Sequence, residues 1–112
     1  MSWTPYDDSA EVGTSGTEGG IIVRDDEHAL GARITLEQNC GFAPWAITCG
    51  IYGYFFHTRY FSSQAESSAD YDQMRDELAV ILELIPLNDA PNLDAKMETV
   101  HEAIVRFVNR YP

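Results

Sequence analysis

The sequence predicts an α+β domain in which a four-stranded antiparallel β-meander, at about residues 20–61, is followed by two C-terminal helices packed on one face of the sheet. Two patterns indicate this order. In the first half of the chain apolar and polar residues alternate singly, which is typical of strands with one buried face. In the second half apolar residues recur at every third or fourth position, which is typical of amphipathic helices.

The composition fits one globular domain. A chain of 112 residues with 45% hydrophobic residues can bury a core without disulfides or a metal. Residues 1–19 have no apolar periodicity and are rich in glycine, serine, threonine and acids. We therefore expect a flexible acidic N-terminal tail at 1–19 and a single domain at 20–112.

The charge balance excludes several classes of partner. Eighteen acidic and seven basic residues give a net charge of -11, which repels nucleic acid and anionic membranes. The N-terminus lacks the basic and apolar parts of a secretory signal, and no apolar run reaches the roughly 18 residues of a membrane span. We expect a cytoplasmic protein that binds neither nucleic acid nor membrane, whereas a basic protein partner is compatible with the acidic surface.

The first two strands are predicted on either side of a polar connection. Residues 21–23 form a β-branched run, and the charged residues 24–28 that follow it are interpreted as a tight turn. From Gly31 onwards the alternation is regular. One face of this second strand carries Ala32, Ile34 and Leu36, and the other carries Arg33, Thr35 and Glu37.

Aromatic residues are concentrated between Trp45 and Phe61, where we predict the third and fourth strands. Gly50 and Gly53 bracket the reversal between them, and one continuous strand bent by a glycine bulge is the alternative. A hairpin suits a small domain better, because its strands are about 17 Å long whereas the continuous strand would be about 55 Å. In the last strand we expect the even-numbered residues 54–60 to face the helices.

Both helices are predicted after residue 61. Ser63 and Glu66 have the spacing of a capping box, so the first helix should begin there. Its apolar stripe ends at Pro86, which cannot continue a helix. A second stripe runs from Met97 to Tyr111.

The face of the sheet turned away from the helices is the leading candidate site. The alternation places Arg33 and Glu37 there, and we expect His57 and Arg59 beside them. With Arg24, three of the seven basic residues would gather in one place, where they could bind a carboxylate or phosphate. The predicted ligand-binding residues are therefore Arg24, Arg33, Glu37, His57 and Arg59. The alternative is that Glu37 neutralises Arg33 or Arg59 in an ordinary cross-strand ion pair.

No complete catalytic, cofactor or metal motif occurs in the sequence, so we predict no catalytic residue, no cofactor and no metal site. His57 could act as an acid or base if burial brings its pKa near the working pH, with Glu37 or Cys49 as a partner where the strand register allows it. The consecutive residues Asp25 to His28 offer ligands for a hard cation, but their spacing fits no defined loop and favours a polar hairpin tip.

These observations favour a small, non-enzymatic binding or regulatory module that recognises a small anion or a protein segment on the open sheet face. Two other classes stay open. One is an acidic inhibitor or immunity-like protein whose helix surfaces cap a basic protein partner, and the other is a small enzyme that uses His57. The chain has more aromatic residues than two helices can cover, and the remaining apolar surface would be buried by a second copy. We therefore predict a homodimer, with Trp45, Phe55 and Phe61 as its expected contacts.

Overall fold

The computed structural model describes residues 3–112 and has the predicted α+β arrangement, with five strands in the sheet instead of four. Neighbouring strands are antiparallel, and their order in the sheet is their order in the chain. Both helices follow the last strand and pack on one face. The elements are β1 (Trp3–Pro5), β2 (Ile21–His28), β3 (Ala32–Gln38), β4 (Trp45–Ile51), β5 (Phe55–Phe61), α1 (Gln64–Leu84) and α2 (Leu93–Arg110).

β1 is the strand that the sequence pattern did not predict, and it lies within the segment 1–19 that we expected to be a flexible tail. It pairs with the C-terminal end of β2, and the Trp3 ring packs edge-on against the His28 ring at a centroid distance of 5.0 Å. Three residues that end in a proline carry no alternation that could signal a strand. Residues 1 and 2 of the expected tail lie outside the described residues, and the flexibility of the rest stays a prediction.

The charged residues 24–28 belong to β2, so their interpretation as a turn is wrong. The reversal comes after His28, and Gly31 there has a φ of 112°, which glycine adopts without steric cost. The charged strand is stable in the sheet because Asp25 forms an ion pair with Arg33 of β3 and accepts a hydrogen bond from Thr35, which lies opposite it. Ion pairing across strands here replaces the apolar alternation that usually indicates a strand.

The hydrophobic core lies between the sheet and the two helices. β3 and β4 contribute fully buried side chains such as Ile34 and Ile47, and α1 contributes Tyr71 and Leu78. The predicted start of the first helix is confirmed, because Ser63 is the N-cap of α1 and its side chain accepts a hydrogen bond of 3.1 Å from the Glu66 amide.

β4 and β5 form the predicted hairpin, and its turn decides which side chains face the helices. The loop has three residues, and Gly53 within it has a φ of 82°. Ile51 therefore lies directly opposite Phe55, and residues opposite each other in an antiparallel pair share a face. Because Ile51 is buried against the helices, Phe55 and the odd-numbered residues of β5 face them too. The prediction that the even-numbered residues face the helices is wrong.

Candidate binding surface on the open sheet face

The five predicted ligand-binding residues are divided between the two faces of the sheet. Arg33 and Glu37 lie on the open face, which is the face turned away from the helices. Arg24, His57 and Arg59 lie on the helix-covered face, since they pair with core residues of the neighbouring strands. The prediction that these residues gather in one place is therefore wrong. Side chains alternate between the two faces of a strand. If one residue is assigned to the wrong face, every other side chain of that strand is misplaced too.

The two arginines on the helix-covered face bind acids of α1. The Arg24 guanidinium lies 3.3 Å from Asp72 Oδ1 and stacks 4.0 Å above the Tyr71 ring. Arg59 lies 2.5 Å from Asp70 Oδ2. Each of these side chains therefore ties a strand to α1, and an added anion would have to compete with a carboxylate that is already in place.

Arg33 is also paired, through a bidentate contact with the buried Asp25. Its Nε and Nη2 atoms donate hydrogen bonds of 3.0 and 2.7 Å to the two carboxylate oxygens, and Thr35 donates a third of 3.0 Å. The Tyr6 ring covers the guanidinium at 3.5 Å. The hydrogen bonds to Asp25 raise the pKa of Arg33, so the guanidinium keeps its charge within its ion pair with Asp25.

His57 and Cys49 lie directly opposite each other in the β4–β5 ladder, which is the register that a cysteine–histidine pair would need. The surrounding chemistry opposes that use. Burial raises the pKa of the Cys49 thiol to about 12, so the thiolate that would act as nucleophile is absent at neutral pH. His57 Nε2 is hydrogen-bonded to the carbonyl oxygen of Tyr111, which ties β5 to the end of α2.

Glu37 is fully buried on the open face because the chain that precedes β2 folds over it. We call residues 6–20 the N-terminal segment. The Glu18 amide donates hydrogen bonds of 3.1 and 3.3 Å to the two oxygens of the Glu37 carboxylate, and the Gly20 amide donates one of 3.1 Å. A Cβ atom on Gly16 would overlap this carboxyl group, so the backbone of the segment lies directly on it. The carboxylate thus anchors the N-terminal segment to the sheet.

A cavity of about 750 Å³ remains on the open face between the N-terminal segment and β5. Thr35 and Thr48 lie among its lining residues, as do Glu11 of the segment, Tyr52 of the β4–β5 turn and Phe56 of β5. Its volume lies within the range of about 300–1,000 Å³ that ligand pockets have. The cavity combines carboxylates and aromatic rings in one place.

Next to this cavity, aromatic side chains of β5 are exposed on the open face, and the N-terminal segment reaches them only through a hydrogen bond from the Tyr60 hydroxyl to Glu18. Phe56 is 79% exposed and Tyr60 is 42% exposed on β5, and Phe42 of the β3–β4 loop, at 89%, packs against Tyr60 with ring centroids 6.1 Å apart. We call these three residues the aromatic patch. β5 itself pairs with β4 alone among the described residues, so its outer edge has no strand beside it. This patch was not predicted from the sequence. A turn of three residues, 52–54, places Ile51 opposite Phe55, and the next residue, Phe56, then points to the open face together with Tyr60.

The open face is acidic. Of the seven basic residues, only Arg33 lies on it, and its charge is matched by Asp25. Four glutamates lie on or beside the face. Their carboxylates accept hydrogen bonds from hydroxyl groups or backbone amides, and none is in an ion pair with a lysine or arginine of residues 3–112. These residues are Glu11, Glu18, Glu27 and Glu37.

Three of the six acids of α1 are in ion pairs with arginines. This finding bears on the inhibitor hypothesis, because those acids were the surface expected to cap a basic partner. The pairs are Asp70 with Arg59, Asp72 with Arg24 and Arg75, and Glu77 with Arg110.

The four residues from Asp25 to His28 do not converge on one point. They alternate between the two faces of β2, so Asp25 and Glu27 are on the open face whereas Asp26 and His28 are on the other. Within residues 3–112 no group of three or more histidine, cysteine, aspartate or glutamate residues is arranged to hold a metal ion. In the same part of the chain, neither helix has the length and apolar character needed to cross a bilayer.

Comparisons of this chain with protein-family models, with curated proteins and with solved structures gave no match. The geometry of the open face is therefore the basis for assigning a function to this protein.

Proposed function

We propose that this protein is a non-enzymatic binding module that takes up an extended segment of a partner protein along β5 and the aromatic patch. One observation carries the proposal: within residues 3–112 no strand pairs with the outer edge of β5, and exposed aromatic rings lie directly beside it. An unpaired strand edge offers a row of backbone donors and acceptors that another extended chain can pair with.

The side chains next to the edge suit this mode of binding. Phe56 and Tyr60 project from the same face of β5, with Thr58 between them, so they present two aromatic rings in line along the strand. In strand addition the backbone hydrogen bonds supply affinity, and alternate side chains of the bound segment pack against the receiving sheet. Exposed aromatic side chains at such a position are typical of energetically dominant interface residues.

Recognition of a small anion has less support in this structure. Each arginine that was predicted to bind it is in contact with an aspartate: Arg24 with Asp72, Arg33 with Asp25, and Arg59 with Asp70. Catalysis by His57 also has little support, because its candidate partner Cys49 is a protonated thiol and Glu37 lies on the other face of the sheet.

The experiment is a selection of displayed random 12-residue peptides on the immobilised full chain, followed by affinity measurements with the recovered peptides. The variants are Phe56→Ala and, as a matched control, Leu87→Ala, which removes a side chain of nearly equal exposure, 78% against 79%, from the connector between the helices. We expect Phe56→Ala to weaken binding by about tenfold or more and Leu87→Ala to leave it unchanged.

Two results would contradict the proposal. Recovered peptides could bind Phe56→Ala as tightly as the natural sequence, which would place the binding surface elsewhere. Selection could also yield no peptide that binds the full chain, which would oppose a role in binding extended segments.

A further inference from the structure

We infer that the partner segment is basic, and that one of its lysine or arginine side chains enters the cavity between the N-terminal segment and Phe56. This inference rests on the proposed function and specifies the chemistry of the partner. The sequence suggested two separate hypotheses, a module that binds a protein segment and an acidic protein that binds a basic partner. Here both apply to the same surface.

The charge distribution is the first argument. Glu11, Glu18, Glu27 and Glu37 lie on or beside the open face, and none has a basic partner within residues 3–112. The one basic side chain of this face, Arg33, is already matched by Asp25, so the face that carries the aromatic patch has a net negative charge. A basic segment would be attracted to this side from a distance and would gain ion pairs on arrival.

The cavity is the second argument. Glu11 lines it together with the rings of Tyr52 and Phe56, and its volume of about 750 Å³ is large enough for a long side chain. Glu37 also borders it, but its carboxylate is buried and bonded to backbone amides, so Glu11 supplies the accessible carboxylate. A lysine or arginine head group is attracted both to carboxylates and to the face of an aromatic ring. Arg33 also borders the cavity, but its guanidinium is held by Asp25 and does not neutralise the glutamates.

A second copy of this chain is a poorer occupant of the same surface. Each copy has a net charge of -11, and pairing two β5 edges would bring the two acidic open faces close together. Like charges that are brought together at an interface cost free energy and slow association. The homodimer predicted from the sequence also depended on Phe55 and Phe61, which are packed inward against the helices.

The test uses the peptides recovered by selection on the full chain. We expect them to carry a net positive charge, and we expect substitution of one of their lysine or arginine residues by serine to weaken binding by about tenfold. Glu11→Gln should weaken binding by about threefold or more, whereas the matched control Glu98→Gln, on the exposed face of α2, should not change it. Raising the salt concentration from 0.05 to 0.5 M should weaken binding about tenfold, because exposed charges are then strongly screened.

The outcomes separate this inference from the proposed function. Peptides that are neutral or acidic, insensitive to salt and yet dependent on Phe56 would overturn the basic partner and leave the proposed function intact. Peptides that are independent of Phe56 would overturn both. A concentration-dependent dimer of the free protein that Phe56→Ala dissociates would also overturn the inference, since a second copy would then be the occupant.

Discussion

The two halves of the open sheet face differ in how the chain completes them. Over β2 and β3 the N-terminal segment lies on the sheet, and its amides satisfy the buried carboxylate of Glu37. Over β5 the segment reaches only Tyr60, whose hydroxyl donates a hydrogen bond to Glu18, and Phe56 is exposed beside a strand edge that is unpaired within residues 3–112. Where the protein covers its own sheet, buried polar groups are satisfied internally. Where it does not, apolar rings and free backbone groups remain, and these are the features that a partner can use.

The two sides of the sheet show the same difference. Beyond β2 the chain adds the short strand β1 at one end and residues 13–15 at the other, which bond to Ile21 and Ile22. Beyond β5 no part of residues 3–112 is paired. Natural sheets usually block their edges, so an edge left open beside an aromatic patch is a reason to expect a function there.

Removing the carboxylate of Glu37 should produce the largest effect on stability. Glu37→Ala leaves the Glu18 and Gly20 amides without their acceptor beneath the N-terminal segment, so we expect the free energy of unfolding to fall by about 2–4 kcal/mol. Urea denaturation would measure the loss. Glu98→Ala, at an exposed helix position, is the control and should change stability by less than about 0.5 kcal/mol. Equal stabilities of the two variants would show that Glu37 does not anchor the segment.

A methyl group beneath the N-terminal segment should have a smaller effect of the same kind. In Gly16→Ala the new Cβ would overlap the Glu37 carboxyl group, and we expect a loss of about 1–3 kcal/mol as the segment is pushed off the sheet. Gly41→Ala is the control, since its Cβ would meet nothing closer than 4.0 Å. Thermal unfolding of the two variants would compare them, and a Gly16→Ala protein as stable as Gly41→Ala would oppose the close packing described here.

The helix-covered face should make stability depend on pH. Burial, and then the positive charge of Arg59, lower the pKa of His57 below its ordinary value of 6.5. The unfolded chain therefore binds a proton more readily than the folded protein, so stability should fall as the pH is lowered from 7 through 6.5 towards the folded pKa. In His57→Gln this decrease should be shallower, as measured by urea denaturation at pH 7.0 and 5.5. An unchanged slope would show that His57 does not contribute to it.

The uncovered half should contribute least to stability. Phe56 is 79% exposed, so Phe56→Ala should change the free energy of unfolding by less than about 0.5 kcal/mol although it removes a large ring. Phe107→Ala, which removes a buried ring from α2, should cost about 3–5 kcal/mol and serves as the contrast. A large loss in Phe56→Ala would assign this residue to the fold instead of to binding.

The sequence predicted most of the fold because the signals for it are local. The alternation around Ile34, the hairpin at Gly53 and the helix N-cap at Ser63 each depend on neighbouring residues, and the structure confirms them. β2 was cut short because its charged residues find their partners on β3, and β1 was missed because it has no pattern of its own.

The candidate site was harder to predict because it depends on long-range contacts. The two faces of β5 were exchanged in the prediction. His57 and Arg59 were therefore expected on the open face, where the structure has Phe56 and Tyr60. The burial of Glu37 comes from the fold of a segment whose composition is that of a tail. Neither the pairing of Arg33 with Asp25 nor the absence of a strand beyond β5 can be inferred from residue spacing.

Amide hydrogen exchange with and without a recovered peptide tests the central claim most directly. If an extended segment adds to the sheet, amides of β5 should exchange more slowly in the complex, while those of β2 and both helices should be unchanged. Slower exchange confined to α1 or α2, with β5 unaffected, would contradict binding at the open edge.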